Sequence, residues 1–461
     1  MVRHRSPFVT TAWTLIILLI SGIWFLQTLP NQSDSSSEED SAGLITTRIQ
    51  AEYLLGVSVL LDAQDEIAPQ AIILDAGTVN QRQRYMAFML ALGDWEAANR
   101  ASLKMKTELA RAEIQLSEEQ SRVQEQLDIL SSGGGLPEDH ESLVSHLGWF
   151  GSLLEADSQE RVTIENSAEK KVMIVGSVFA IVLLLCCCGF LGLLFFFMRA
   201  LTGKLRSGIS PPSQSHGVYA EVFALWLFMF VILMALAGFL ANKIAPDNTF
   251  VGMICTIASF FTSLLVLNWA RFRGITWKQI CVDIGWTRGV GVEKECAFGL
   301  VGYAMMLPIL CVGILLTLIL MAFQSFGGVE SDPFSGTSGG THPIIIEIAQ
   351  GGWQVRVLLL ILAVVVAPIV EETMFRGVLY RQLRSASYRM GSAVSIMLSV
   401  LLISFLFAAI HPQGWIAIPA LMGIAIGMNL MREWRGTLLP SMMVHGISNG
   451  IVTSMMIIFL S

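Results

Sequence analysis

Charge is what this chain has least of. Only 14% of its 461 residues are charged, while 54% are hydrophobic and the mean hydropathy is +0.63. That shortage excludes an ordinary soluble protein and points to a polytopic helical membrane protein. No basic stripe exists outside short loops, which excludes nucleic-acid binding. Cysteine is absent from residues 31–170, so that segment holds no disulfide framework. The seven cysteines elsewhere lack zinc-type spacing. Cys186, Cys187 and Cys188 fall inside an apolar run and read as small apolar filler.

The formal charge of −7 hides a split. Residues 31–170 hold 25 acids against 10 Lys/Arg, and the remainder holds 19 Lys/Arg against 11 acids. The expected fold class is therefore all-α: a transmembrane helical bundle of about nine spans with an acidic, mainly helical, extracytoplasmic insert. Residues 1–30 form a first span, 31–170 the insert, 171–350 further spans and 351–461 a membrane core. The spans are placed near Phe8–Leu29, Val172–Met198, Val222–Ala241, Phe250–Ala270, Ala297–Phe323, Val357–Val370 (running on through the Glu pair), Val394–Ile410, Trp415–Met431 and Leu438–Leu460. Val357–Val370 and the two after it look short for the ~20 residues that cross a bilayer. Short, interrupted spans suggest broken or tilted helices around a cavity. The run Phe8–Leu29 is long for a cleaved signal peptide, and Leu29-Pro30-Asn31-Gln32-Ser33 lacks a small-x-small cleavage site. A retained signal anchor is expected.

Lys/Arg placement sets the expected orientation. With the amino terminus in the cytoplasm, Arg3, Arg5, Arg199, Lys204, Arg206, Arg271, Arg273, Lys278, Arg288, Lys294, Arg381, Arg384, Arg389, Arg432 and Arg435 fall on inner loops. Outer short loops carry only Lys243, with Arg356 at a span edge. The plasma (inner) membrane is the expected location, and membrane lipid is one expected partner.

The exported segment opens with a Ser/Glu/Asp-rich linker, Asn31 to Ser41, of a composition that favours disorder. Between Met105 and Leu130, Leu109, Leu116, Val123 and Leu130 recur every seven residues, as in a helical hairpin or short coiled coil. Ser131-Ser132-Gly133-Gly134-Gly135-Leu136-Pro137 should end that helix. His140-Glu141 resembles half a zinc motif, but His146 stands six residues from His140 rather than four, so the pair reads as solvated. The segment is expected to be a spacer or a protein-interaction module.

The last ninety residues hold three polar patterns inside apolar runs: Glu371-Glu372-x-x-x-Arg376, Phe407-x-x-x-His411 and His445-x-x-x-Asn449. Such groups are costly at bilayer depth and mark function by default. On a helix Glu372 and Arg376 share a face and can pair, while Glu371 points about 100° away. Glu371 is then left to face a cavity, suited to taking a proton from water. His445 and Asn449 stack one turn apart and offer two donors for an oxyanion. Ser448 has no paired base, so a serine-protease arrangement is weak. Counting helical rise puts Glu371 and His445 ~12–15 Å from the inner face but His411 near the outer one, a conflict of depth. Gly423 with Gly427, and Gly446 with Gly450, are G-x-x-x-G pairs for close helix packing.

These three motifs, in order over about residues 355–455, resemble the CPBP intramembrane proteases. That family includes the type II CAAX prenyl endopeptidases and bacterial bacteriocin-processing and immunity proteins. The resemblance implies a membrane endopeptidase that cleaves a peptide or protein with a membrane-proximal segment. It implies that Glu371 activates water with help from His411, and that His445 and Asn449 form the oxyanion site. Glu372, Arg376 and Phe407 would support the geometry. No cofactor is expected to be obligatory, although Glu371, His411 and His445 could in principle hold zinc. Two rival readings are a catalytically silent scaffold or sensor that uses 31–170 as its receptor, and a proton-relaying transporter. A transporter should show two repeated halves, and no repeat is found.

Overall fold

A computed structural model describes residues 7–28, 35–63, 67–135, 140–209, 217–246, 248–326 and 344–460. Among them there is no strand, and helices make up nearly everything. The chain divides into two compact units. The first comprises 1–30, 180–327 and 350–457, and the second comprises 31–179, 328–349 and 458–461.

Unit 1 is the apolar bundle. Its core joins Phe223 and Trp226 of Val218–Ile244 to Phe375, and Phe375 in turn meets Phe407 edge-on, with ring centroids 5.2 Å apart. Val292–Phe326 packs along Ile418–Arg435. Glycine permits that approach: a Cβ on Gly427 would stand 2.4 Å from Met306 Cγ. Close helix packing on small residues is the expected device in a membrane, where apolar burial alone gives no preference for helix over lipid.

Unit 2 is a helical domain with its own core of Leu55, Met86, Phe88, Met105, Leu127 and Phe150, among others. Thr78 and Ser117 close capping boxes at the starts of Val79–Ala91 and Glu118–Ser131. The seven-residue stripe resolves into a hairpin. Trp95–Ala112 ends on Glu113 in the left-handed conformation, and Glu118–Ser131 returns along it. Leu109, Val123 and Leu130 are buried, whereas Leu116 lies half-buried in the turn. His146 is not merely solvated, since its Nδ1 lies 3.0 Å from Glu119 Oε1. The side chains of His140 and Glu141 lie outside what is described.

Nine of the ten helices that are long and apolar enough to cross a membrane, by length and composition among the described residues, coincide with the expected spans. The tenth is Gly43–Leu61, and it packs in the core of unit 2 through Ala51 and Leu55. Apolar content alone does not separate a span from a core helix. Two expectations need correction. First, residues 35–41 belong to the helix Ser35–Leu61 rather than to a disordered linker, while 31–34 lie outside the described residues. Second, Val357–Val370, with its continuation through the Glu pair, is no short span. The helix runs from Trp353 to Met390 without a break, 38 residues in all.

That continuity has a cost in buried charge. Arg381, Arg384, Arg432 and Arg435 were expected on loops, but all lie on helices, and the first three are buried. Each finds a partner. Arg381 pairs with Asp283 at 2.7 Å, which also accepts from Tyr219 at 2.8 Å. Arg384 grips Glu433 with two nitrogens, and Arg435 grips Glu295 in the same way. Guanidinium groups suit this because their planar fork matches a carboxylate.

Candidate active site

Glu371 and Glu372 close the short α-helical stretch Ala367–Glu372. Wider π-helical turns flank it on both sides, Leu362–Val366 and Thr373–Leu379. Such turns are rare and tend to mark functional sites. Pro368 helps to explain the first, since it has no N–H to give to Val364 four residues back. Neighbouring helices serve the two widened turns. Asn449 Nδ2 donates to Ala363 O at 3.0 Å, and Arg432 Nε donates to Arg376 O at 3.1 Å. Arg432 also reaches Asp283 O at 3.0 Å, so it ties the second turn to the end of the helix Trp277–Ile284. Trp286 Nε1 donates to Thr373 Oγ1 at 2.9 Å, and Thr373 passes its own proton to Ile369 O at 2.7 Å.

Gly446 lets the last helix, Leu439–Leu460, reach this segment. A Cβ there would stand 2.6 Å from Val364 O. The neighbouring residue His445 is thereby brought against the two glutamates. Its Nδ1 lies 2.9 Å from Glu372 Oε1, and its Nε2 lies 3.9 Å from Glu371 Oε2. Glu372 Oε1 also accepts from Arg376 Nη1 at 2.9 Å. Glu372 and Arg376 are both fully buried, whereas the Glu371 side chain keeps 20% exposure. The i, i+4 pair and the outlying glutamate therefore fall as the spacing suggests.

Phe407 resolves the conflict of depth. Its ring carries the Arg376 guanidinium at 4.2 Å, meets His445 edge-on at 5.9 Å and lies 4.3 Å from the His411 ring. One phenyl group thus brings the second motif to the first and third. The depth count failed because Glu371 lies near the middle of a 38-residue helix, not near the end of a short one. His411 follows the end of Ser392–Ala409, and its Nδ1 lies 2.5 Å from Phe407 O. A carbonyl only accepts, so Nδ1 of His411 carries a proton. At His445 the carboxylate of Glu372 likewise takes the Nδ1 proton, and Nε2 faces Glu371.

Glu371, Glu372, Arg376, Phe407, His411 and His445 form one connected group, and Asn449 braces the helix that bears the glutamates. Among the described residues, no set of three His, Cys, Asp or Glu is gathered as a metal would require. Sequence reasoning missed the Glu372–His445 bond and the roles of Arg432, Trp286 and Asp283. A buried arginine in the helix that holds a G-x-x-x-G pair was the available signal for Arg432.

The pairing carries a measurable consequence. Glu372→Ala and Arg376→Ala should each destabilise the protein by ~3–5 kcal/mol, because each strands a buried charge. The double variant should lose clearly less than the sum. A double-mutant cycle on unfolding in detergent measures this, and strict additivity would mean that the two charges do not interact.

No curated protein and no solved structure matches this chain. A family match does exist, and it covers the stretch in which all seven of these residues lie. Residues 353–451 match the family model described as type II CAAX prenyl endopeptidase Rce1-like, so that segment is similar to this family, and it lies in an integral membrane protein with ten helices, among the described residues, long and apolar enough to cross a bilayer.

Proposed function

We propose that this protein is an intramembrane endopeptidase that hydrolyses a peptide bond with water activated by Glu371. The observation that carries the reading is the 3.9 Å between Glu371 Oε2 and His445 Nε2, with His445 held from behind by Glu372. That separation is too long for a direct hydrogen bond, and Glu371 Oε2 is buried without a hydrogen-bond partner among the described residues, so both groups can serve one water placed beside them. In this reading Glu371 takes one proton from water, and His411, neutral with Nε2 unprotonated, orients that water by accepting a hydrogen bond from the O–H that it keeps. The hydroxide oxygen adds to the scissile carbonyl carbon. His445 Nε2–H and the second amide N–H of Asn449 donate to the oxyanion, which is where preorganised donors act most strongly. Glu371 then returns its proton to the leaving amine nitrogen, and the C–N bond breaks. No step uses a metal or other cofactor.

For His445 to donate from Nε2 while Nδ1 serves Glu372, the ring must carry both protons, and Glu371 must be ionised to act as base. His445→Gln should slow cleavage of a peptide by the purified protein, and unchanged cleavage by the folded variant would remove His445 from that role.

The substrate class we propose is a peptide or protein with a membrane-proximal segment. The amino terminus and the helical segment around Ser385 would face the cytoplasm, with 31–170 outside, where it could meet a protein partner. Single cysteines at Ser37 and Ser385, labelled from either side of intact cells, test the orientation. Labelling of Ser37→Cys only from the inside would reverse it.

A further inference from the structure

We propose that unit 2 carries a binding site for a phosphate-bearing anion. The site is a cavity of about 270 Å³ between Ser35–Leu61 and the first part of Ser158–Leu201. Arg48, Glu52, Trp149, Ser167 and Lys171 are among its lining residues.

The charges favour an anion. Glu52 is buried and bridges two cations, with Arg48 Nε at 3.1 Å from Oε1 and Lys171 Nζ at 3.0 Å from Oε2. One carboxylate against two cations leaves one positive charge in excess. It does so in a segment with 25 acids against 10 Lys/Arg, where an anion is otherwise repelled. The Glu52–Lys171 bond also fixes the ammonium group in place before any ligand arrives, which lowers the entropy lost on binding.

Hydrogen-bond donors point the same way. Thr163, Ile164, Ser167, Ala168 and Lys171 fall on one face of Ser158–Leu201. Thr163 gives its proton to Gln159 O, which leaves Ser167 as the hydroxyl able to donate. Trp149 supplies a half-buried aromatic wall. The volume lies below the ~300–1,000 Å³ of sites for drug-sized ligands and suits a headgroup-sized anion.

Position along the helix indicates where such an anion would come from. Directly after Lys171, residues 172–198 carry no charged side chain. A ligand held by Lys171 thus sits at the boundary between polar helix and lipid-soluble helix, where a phospholipid places its phosphate. Indole rings and long cationic side chains are favoured at the same level.

The test is native mass spectrometry of the full-length protein in detergent, titrated with phosphatidylglycerol, phosphatidylcholine and glycerol phosphate in separate arms. Wild type should hold one equivalent of phosphatidylglycerol more tightly than phosphatidylcholine. Arg48→Gln and Lys171→Gln should each weaken that binding about fivefold or more. Arg48→Gln leaves the Glu52–Lys171 bond intact, so it decides the matter if Lys171→Gln does not fold. Glycerol phosphate bound as tightly as the lipid would also support the site but identify a soluble ligand. Equal binding of all three by wild type, or no change in Arg48→Gln, would overturn the proposal.

Discussion

Glu371→Gln should abolish peptide cleavage while the protein still folds. The substitution keeps the size and shape of the side chain and removes its ability to accept a proton. Loss of a general base costs roughly 10²–10⁴ in rate. Glu371 is the partly exposed member of the pair and does not hold the Arg376 charge, so the buried network should survive its neutralisation. Unfolding temperature in detergent should therefore stay close to wild type, in contrast with Glu372→Ala. The measurement is cleavage of a peptide library by purified wild type and variant at matched folded concentration. Full activity in a folded Glu371→Gln variant would remove the glutamate-activated water from the mechanism. A protein that cleaves nothing as wild type but folds and binds peptides would favour the silent scaffold instead.

The second large effect belongs to His445 and Asn449. Each should lower turnover by about 10²–10³ when changed to Ala, the usual loss for one oxyanion donor. Binding of an uncleavable peptide should change little, because these contacts strengthen only in the transition state. The two variants should differ in stability. Asn449 Nδ2 also holds Ala363 O in the first widened turn, so its loss frees a backbone carbonyl as well as a donor. Asn449→Asp keeps the shape but has no N–H to give, and should behave like Asn449→Ala. A zinc-dependent protease would give another outcome. The wild type would carry stoichiometric zinc, His445→Ala would lose it and Asn449→Ala would keep it. Metal analysis of the three proteins separates the alternatives.

Local relations in the site are legible in the chain. Glu372 and Arg376 stand one helical turn apart, so their pairing follows from the geometry of a helix. The same spacing leaves Glu371 outside the pair and more exposed. The three motifs also carry the family resemblance, because motif residues and their order are written in the chain itself. Apolar run lengths identified a helical membrane protein for the same reason, since crossing a bilayer is a local requirement of length and composition.

Relations between distant segments were not legible. Nothing in the spacing shows that His445 gives its Nδ1 proton to Glu372, 73 residues away, because that bond depends on Gly446 passing against Val364 O. Nor does spacing show Arg432 beneath Arg376 O, or Asp283 serving Arg381 and Tyr219. Arginines near span ends read as loop charges, yet neighbouring helices supply acids that let them be buried. Gly43–Leu61 is the opposite case, with enough apolar length for a span but a face covered by its own domain. In this protein the sequence by itself determined helices, their apolar runs and the i, i+4 pair, since each is set by residues within a few turns. Only the tertiary structure decided which imidazole nitrogen faces Glu371 and which ring joins His411 to it. Those depend on how segments far apart in sequence pack, and local periodicity does not encode that.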